Sequence, residues 1–359
     1  MTHSPSLPLA DGLSCLTVEE FHGFQGEEWD RHAARFPDVS CFHTSSWMRV
    51  LQSSYGFRPL GFVFCKSDVI IGMIPMVEVV NRITGCRGVS LPFTDECPPL
   101  IRADWVADGL LKPLATIAQE RRWNYFEIRG SNAALCPTVP SVIFHGHRVT
   151  LPKHHADLWQ GLKGSVRTAI RKAESSGVTI EVSNTLSTLR EFHRLYCLTR
   201  QRHGLPPQPF SFFKVIHRHI FERDLGEVIM ARVGGKNVAG AVFLRNGGRV
   251  LFKYGAFDSR FQQVRANNLV FWAALKRYQQ MGCETVDFGR TSMGNDGLRR
   301  FKQGWGATEY EIRYSKYDLH KNQFVKEKDL AEGFYNWAFR LCPRWVSAIV
   351  GKTLYKYWA

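Results

Sequence analysis

No stretch of about 18 uninterrupted apolar residues occurs in this 359-residue chain, so no membrane-spanning helix is expected. The first residues, MTHSPSLPLADGLSCLTVEEF, lack both a basic segment and a long apolar one, and no export signal is expected. The nine cysteines form no CxxC pair, which sets aside a zinc site and a disulfide framework and fits a reducing cytoplasm. His145 with His147, His154 with His155, and His217 with His219 have no Cys or carboxylate at ligand spacing. They are expected to be surface or satisfied histidines, and no metal is expected. GxSxG, GxxxxGK[ST], GxGxxG and HExxH are all absent, which removes the common serine-hydrolase, P-loop, dinucleotide and zinc-protease signatures.

Acidic residues are scarce, and unevenly so. The chain holds 47 Lys and Arg against 32 Asp and Glu, a net charge of +15. Residues 1–150 hold 13 against 15, a net of -2, and residues 151–359 hold 34 against 17, a net of +17. The whole excess lies in the second part, which points to a polyanionic partner there: tRNA, a pyrophosphoryl lipid or an anionic membrane surface. Solubility alone accounts for the total but not for the segregation.

What is plentiful is apolar and aromatic material, 44% and 13% of the chain, enough for sizeable cores at a length that favours two domains. Residues 26–56 read as helical pieces around Trp29 and Trp47, with Thr44 or Ser45 as N-cap. Leu60 to Cys65, Val69 to Val80 and Arg82 to Leu91 read as a strand meander, followed by the stiff loop SLPFTDECPPL, a helix over 105–121 and a strand Tyr125 to Ile128. Glu227 to Val233, Val238 to Arg245 and Arg249 to Ala256, a helix over 267–281 closed by Gly282, and Glu284 to Phe288 repeat that order. The repetition predicts an internal duplication of one mixed α/β unit. Between the two, Lys163, Arg167 and Arg171 share one face of a basic helix over 163–176, with Lys172 adjacent and Gly177 ending it; residues 187–223 are helical around His203 to Pro207.

Chemistry is expected in GCETVDFGRTSMGNDGLRRFKQGWGATEYEIRY, residues 282–314. Asp287, Gly289 and Arg290 stand at the carboxyl end of a strand, where open α/β sheets place ligands. The loop beyond combines glycines with Arg290, Arg299, Arg300 and Lys302, a composition suited to an anionic ligand or equally to a solvated connection.

A strand ending in DFGR, a Gly-containing loop, FKQGWG and an EIRY strand together resemble the FemAB-like branch of the GNAT acyltransferase superfamily. The R-x-x-IRKA segment at Arg167 and the LPF-x-D segment at Asp95 extend that resemblance. It implies two tandem GNAT-like mixed-sheet domains, over 1–150 and 151–325, and acyl transfer as the activity. Members of the group include ligases that move an amino acid from aminoacyl-tRNA onto a peptidoglycan precursor, and proteins encoded among exopolysaccharide functions. Lys302 is the first candidate for stabilising charge, Arg290 the second; Asp287 orients Arg290, accepts a proton or holds the loop, and Tyr254 is a hydroxyl donor. Asp95, Phe301, Trp305, Arg167, Arg171, Lys172, Arg265 and Asn267 are the candidate substrate contacts. The place where CoA-dependent relatives carry a Gly-rich pyrophosphate loop reads DSRFQQVRANNL, without those glycines, which argues against ordinary CoA binding.

Residues 333–359 contain four cations, eight aromatics and no acid, and Pro343 divides them into two short amphipathic helices. A helical tail over 326–359 is expected to pack on the second domain or to hold the protein on the inner face of the cytoplasmic membrane. The expected function is acyl or aminoacyl transfer to an amine or hydroxyl of an envelope glycan, peptidoglycan or glycolipid precursor in the cytoplasm. No cofactor is expected beyond the donor, aminoacyl-tRNA or acyl-CoA, and no DNA partner. A CoA-dependent N-acyltransferase and a non-catalytic module binding anionic lipid or glycan are the alternatives.

Overall fold

Three antiparallel strands, a helix and a parallel strand are built twice along this chain. The computed structural model describes residues 26–66, 69–81, 84–102, 110–130, 135, 139–327, 350, 355 and 357. Two units result: Met1–Ile143 with Ile312–Asp329, and Phe144–Glu311 with Leu330–Trp358.

In the first unit, α1 (Gly26–Ala33) and α2 (Ser45–Tyr55) precede the sheet. Thr44 caps α2, its side chain accepting the Trp47 amide. The strands β1 (Arg58–Lys66), β2 (Val69–Asn81) and β3 (Gly85–Val89) form the meander, and β4 (Leu100–Ile101) adds to β2. Helix α3 (Leu111–Glu120) buries Pro113, Leu114, Ile117 and Ala118 and leads to β5 (Tyr125–Arg129), parallel to β3. The loop between β3 and β4 holds Leu91 and Phe93, both at φ 61, in the left-handed region that side chains seldom adopt.

The second unit begins within β6 (Val142–Thr150) and continues through α4 (His155–Gln160), α5 (Gly164–Ser175) and β7 (Thr179–Ser183). Helices α6 (Leu186–Arg202) and α7 (Phe210–His219) follow, then the meander β8 (Gly226–Val233), β9 (Lys236–Asn246) and β10 (Arg249–Phe257). Helix α8 (Ala266–Gln280) ends at Gly282, whose φ of +75 carries the chain into β11 (Thr285–Asp287), parallel to β10. Strand β12 (Thr291–Ser292), α9 (Asp296–Gln303), β13 (Thr308–Asp318) and β14 (Gln323–Val325) complete the described chain. Within this unit the strands run β6-β11-β10-β9-β8-β7.

The duplication read from the sequence is therefore present, strand for strand, in β1–β2–β3–α3–β5 and β8–β9–β10–α8–β11. The units divide at 143/144 and 311/312. Residues 312–329 return to the first unit because β13 pairs with β5, Tyr314 to Asp318 against Arg129 to Tyr125. Spacing could not show this, since the partner strands lie far apart in sequence.

The second unit's core joins Val149, Ile170, Phe243, Val270, Phe271, Leu275, Val286, Phe288 and Trp305, all under a tenth exposed. The basic helix α5 buries Val166, Ile170 and Ala173 on its other side. No helix among the described residues is long and apolar enough to cross a membrane. The tail helices expected after residue 326 lie outside the described residues, apart from 350, 355 and 357. Tyr355 is buried in the second unit, where its hydroxyl donates to the Pro206 carbonyl at 2.9 Å and accepts from Arg200 at 3.0 Å.

Candidate active site

The parallel ladder between β10 and β11 covers Arg249 to Leu251 against Thr285 to Asp287 and, among the described residues, goes no further. Strand β10 continues to Phe257 along β9, while the chain after Asp287 turns to pair Thr291 and Ser292 with His145 and Phe144 of β6. The two strands separate where the sequence analysis places the chemistry.

A bulge sits on β10 at this point. Phe252 faces Phe243 and Tyr254 faces Val242, so Lys253 is the extra residue. The insertion reverses the alternation: the Phe252 ring lies 4.7 Å from Phe271 on the α8 side, whereas Tyr254 meets Tyr196 at 5.6 Å and Phe213 at 5.5 Å on the α6/α7 side. A bulge thus aims the Tyr254 phenol away from the α8 core.

Alternation also separates the residues of β11. Val286 and Phe288 enter the α8 core, and Asp287 between them faces the other way. Its Oδ1 accepts the Gly289 amide at 2.8 Å; its Oδ2 accepts the Tyr310 hydroxyl at 2.7 Å and Arg148 Nε at 3.2 Å. Arg148 also lies over the Tyr310 ring, 4.8 Å from its centroid. The Asp287 carboxylate thus ties the Gly289 amide of the loop to Tyr310 and Arg148.

Lys302 is 2% exposed. Its Nζ donates to the carbonyl oxygens of Gly289 at 2.8 Å and Arg290 at 3.1 Å. Gly289 has a φ of +67, so the loop turns its carbonyls inward, and the lysine satisfies them. This places Lys302 as the inner support of the loop. Arg290 is half-buried, with Cζ 4.4 Å from the centroid of the Phe144 ring.

The structure adds a group that sequence reasoning missed. Glu309 accepts Arg299 through two bonds of 2.7 Å, Gln303 Nε2 at 3.1 Å and His147 Nε2 at 3.1 Å, with His145 Nδ1 at 3.4 Å. Arg299, followed by the two histidines, holds the Glu309 carboxyl down to about 2 despite partial burial. Burial first, then the nearby Lys302 charge, lowers the pKa of His147, with Glu309 opposing them. His145 and His147 are buried and meet Glu309, the satisfied of the two alternatives read from sequence. Their carboxylate lies 162 residues from His147, so local spacing carried no sign of it. The period-two pattern of His145, His147 and Arg148 was the available signal.

The other expected residues disperse. Trp305 is 1% exposed and packs on Phe271, 5.5 Å between ring centroids, so it belongs to the core. Phe301 lies 5.5 Å from the same ring and also lines a cleft of about 180 Å3 with Phe261, Gln262, Arg265, Asn267 and Asn268 at the start of α8. Arg265 takes the left-handed conformation at φ 56 where a glycine would be unstrained. On α5, Arg167 is half-buried and Arg171 and Lys172 are exposed, Arg171 lying 5.6 Å from the Trp159 ring centroid. Asp95 belongs to the first unit, where its backbone carbonyl accepts the Tyr314 hydroxyl at 2.7 Å.

Residues 161–310 match the family described as Acetyltransferase (GNAT) domain. Among solved structures, FemX is similar with a TM-score of 0.65 at 14% identity, over 82% of this chain and 96% of that one. The C-terminal domain of a putative lysylphosphatidylglycerol synthetase from Agrobacterium fabrum gives 0.53 at 11%, over 86% and 94%. A tandem GNAT protein from the clavulanic acid biosynthesis pathway gives 0.53 at 9%, over 85% and 98%. No curated protein matches the sequence. At these identities the likeness is one of fold, and the fold is a tandem GNAT arrangement.

Proposed function

From a chain that carries a GNAT acyltransferase domain over residues 161–310 on a FemX-like fold, we propose an aminoacyl or acyl transferase of cell-envelope precursors. The acceptor is an amine or hydroxyl of a peptidoglycan, glycan or glycolipid precursor. The observation that carries this reading is the separation of β10 from β11 beyond Leu251 and Asp287, with Lys253 bulged on one side and the Gly289 loop braced on the other.

An acyl donor seated along that separation presents its carbonyl between the two strands. An extended strand edge offers backbone amides and carbonyls to such a chain. The acceptor amine attacks the carbonyl carbon, the C–N bond forms, the ester C–O bond breaks, and the amine's proton ends on the departing oxygen. The Tyr254 hydroxyl supplies a hydrogen bond to the oxyanion, and Arg290 supplies positive charge at the loop. Lys302 and Asp287 act through the loop by fixing the Gly289 and Arg290 backbone.

Aminoacyl-tRNA is the donor this reading favours, because Arg265 stands where a glycine-rich pyrophosphate loop would be needed. A CoA donor is the second reading, favoured by the cleft at the first turn of α8, where backbone N–H groups suit an anion. Incubation with a lipid-linked peptidoglycan precursor and either charged tRNA or acyl-CoA, read by product mass, tests the reading. A mass gain of one aminoacyl group from tRNA supports it; a gain from CoA alone supports the second reading; no gain with either contradicts both.

A further inference from the structure

Arg200 of α6 is a half-buried cation whose partners, among the described residues, are all neutral. Its Nε donates to the Pro206 carbonyl at 3.3 Å, its Nη2 donates to the Tyr355 hydroxyl at 3.0 Å, and its Cζ lies 5.9 Å from the centroid of the Tyr196 ring. Other arginines of the same unit are paired differently. Arg148, Arg277 and Arg299 meet the carboxylates of Asp287, Glu227 and Glu309. Drawing a guanidinium out of water without a counter-charge disfavours folding, and features of that kind gather at functional sites.

The surroundings direct that charge toward the candidate site. Thr199, the residue before Arg200, fastens α6 to the end of β10: its hydroxyl donates to the Phe257 carbonyl at 3.1 Å and accepts the Phe257 amide at 3.0 Å. Tyr196, one turn earlier, meets the Tyr254 ring edge-on at 5.6 Å. Tyr254 is one of three phenols that act electrostatically on Arg200, with Tyr196 and Tyr355. Tyr355 closes the arrangement from 155 residues away. Its hydroxyl accepts from Arg200 and donates at 2.9 Å to the Pro206 carbonyl, the same oxygen that Arg200 Nε reaches. Arginine, phenol and carbonyl therefore fix one another, and the direction of the guanidinium depends on Tyr355.

We infer that Arg200 strengthens the Tyr254 hydroxyl as a donor to the oxyanion of acyl transfer, and that Tyr355 is the residue that positions Arg200. The inference rests on the acyl-transfer reading of the same site. When the acceptor attacks, the carbonyl oxygen gains negative charge and accepts a hydrogen bond from Tyr254; a cation held near the phenol makes that bond stronger where water is excluded. As the intermediate collapses, the new bond to the acceptor stays, the C–O bond to the donor breaks, and the acceptor's proton ends on the departing oxygen. Arg200 neither gives nor takes a proton.

Steady-state transfer by the full chain, with charged tRNA or acyl-CoA as donor, tests this through Arg200→Gln, Arg200→Lys and Tyr355→Phe, each made alone and together with Tyr254→Phe. Arg200→Gln lowers kcat roughly tenfold and Tyr355→Phe about threefold, both with KM unchanged, and Arg200→Lys, which keeps the charge, lowers kcat less than Arg200→Gln. On the Tyr254→Phe background neither Arg200→Gln nor Tyr355→Phe lowers kcat further, because no hydroxyl is left to strengthen. A merely structural role would lower kcat by the same factor on both backgrounds. That additive result, a rise in KM at unchanged kcat, or full kcat in Arg200→Gln overturns the inference and leaves the transferase reading standing. No transfer by the unaltered chain with either donor overturns both.

Discussion

The Lys302 ammonium donates to the Gly289 carbonyl at 2.8 Å from a position that is 2% exposed. A lysine this deeply placed meets carbonyl oxygens in place of water, and the loop keeps its shape by meeting the lysine. Lys302→Met therefore strands two buried carbonyls as well as removing a cation, at a cost of about 3 kcal/mol in folding stability. Urea unfolding checks this. An unchanged midpoint would show that Lys302 does not support the loop, and activity lost by Lys302→Met must be read beside that measurement.

Gly146 lies directly under Tyr310: a Cβ added there would stand 2.4 Å from Cζ of the ring. Since Tyr310 holds Asp287, Gly146→Ala should push the ring off the carboxylate and loosen the Gly289 loop. The expected result is a loss of about 2 kcal/mol or more, with transfer activity falling further than in Tyr310→Phe, which keeps the ring. Equal activity in the two variants would contradict the argument.

Two groups of the Glu309 cluster set a pH dependence. Glu309 has its pKa lowered from 4.5 to about 2, so its contribution is present above pH 4.5 and is lost as pH falls through about 2. His147 is lowered below 6.5, so the folded state resists its protonation, and that contribution is complete above pH 6.5 and shrinks as pH falls below it. Urea midpoints should be flat above pH 6.5 and decline on acidification, first from His147 and then more steeply below pH 4.5 from Glu309. In Glu309→Gln the steeper portion should disappear; its persistence would assign the acid loss to other carboxylates.

The Tyr355 hydroxyl donates to the Pro206 carbonyl and accepts from Arg200. Tyr355→Phe keeps the ring and removes the hydroxyl, an expected cost of about 1 to 2 kcal/mol because the Pro206 carbonyl and the Arg200 guanidinium each lose a partner. Thermal unfolding with and without the substitution measures it. No shift would mean that this contact does not hold in solution.

Legibility followed the range of the interactions. The meanders, α8 and the αL residue Gly282 were readable because period-two and 3.6-residue patterns are local, and so was the repetition of the whole unit. Strand β6 was not, because His145, His147 and Arg148 look like three polar residues until Glu309 and Asp287, brought in by β13 and β11, pair with them. The bulge at Lys253 left no mark either, since alternation through Phe252 and Tyr254 reads as one face until the register is known. Trp305, three residues after Lys302 in the motif, read as a ligand contact, whereas just beyond the end of α9 its ring packs on Phe271 in the core.

The most direct test of the central claim is the rate of label transfer from charged tRNA to a lipid-linked precursor, compared between the unaltered protein and Tyr254→Phe. Acyl transfer in the space between β10 and β11 predicts measurable transfer by the unaltered chain and a fall of roughly 100-fold in kcat for Tyr254→Phe, the order found on removing an oxyanion donor. Transfer by Tyr254→Phe at the unaltered rate, or no transfer by either protein, would contradict the account.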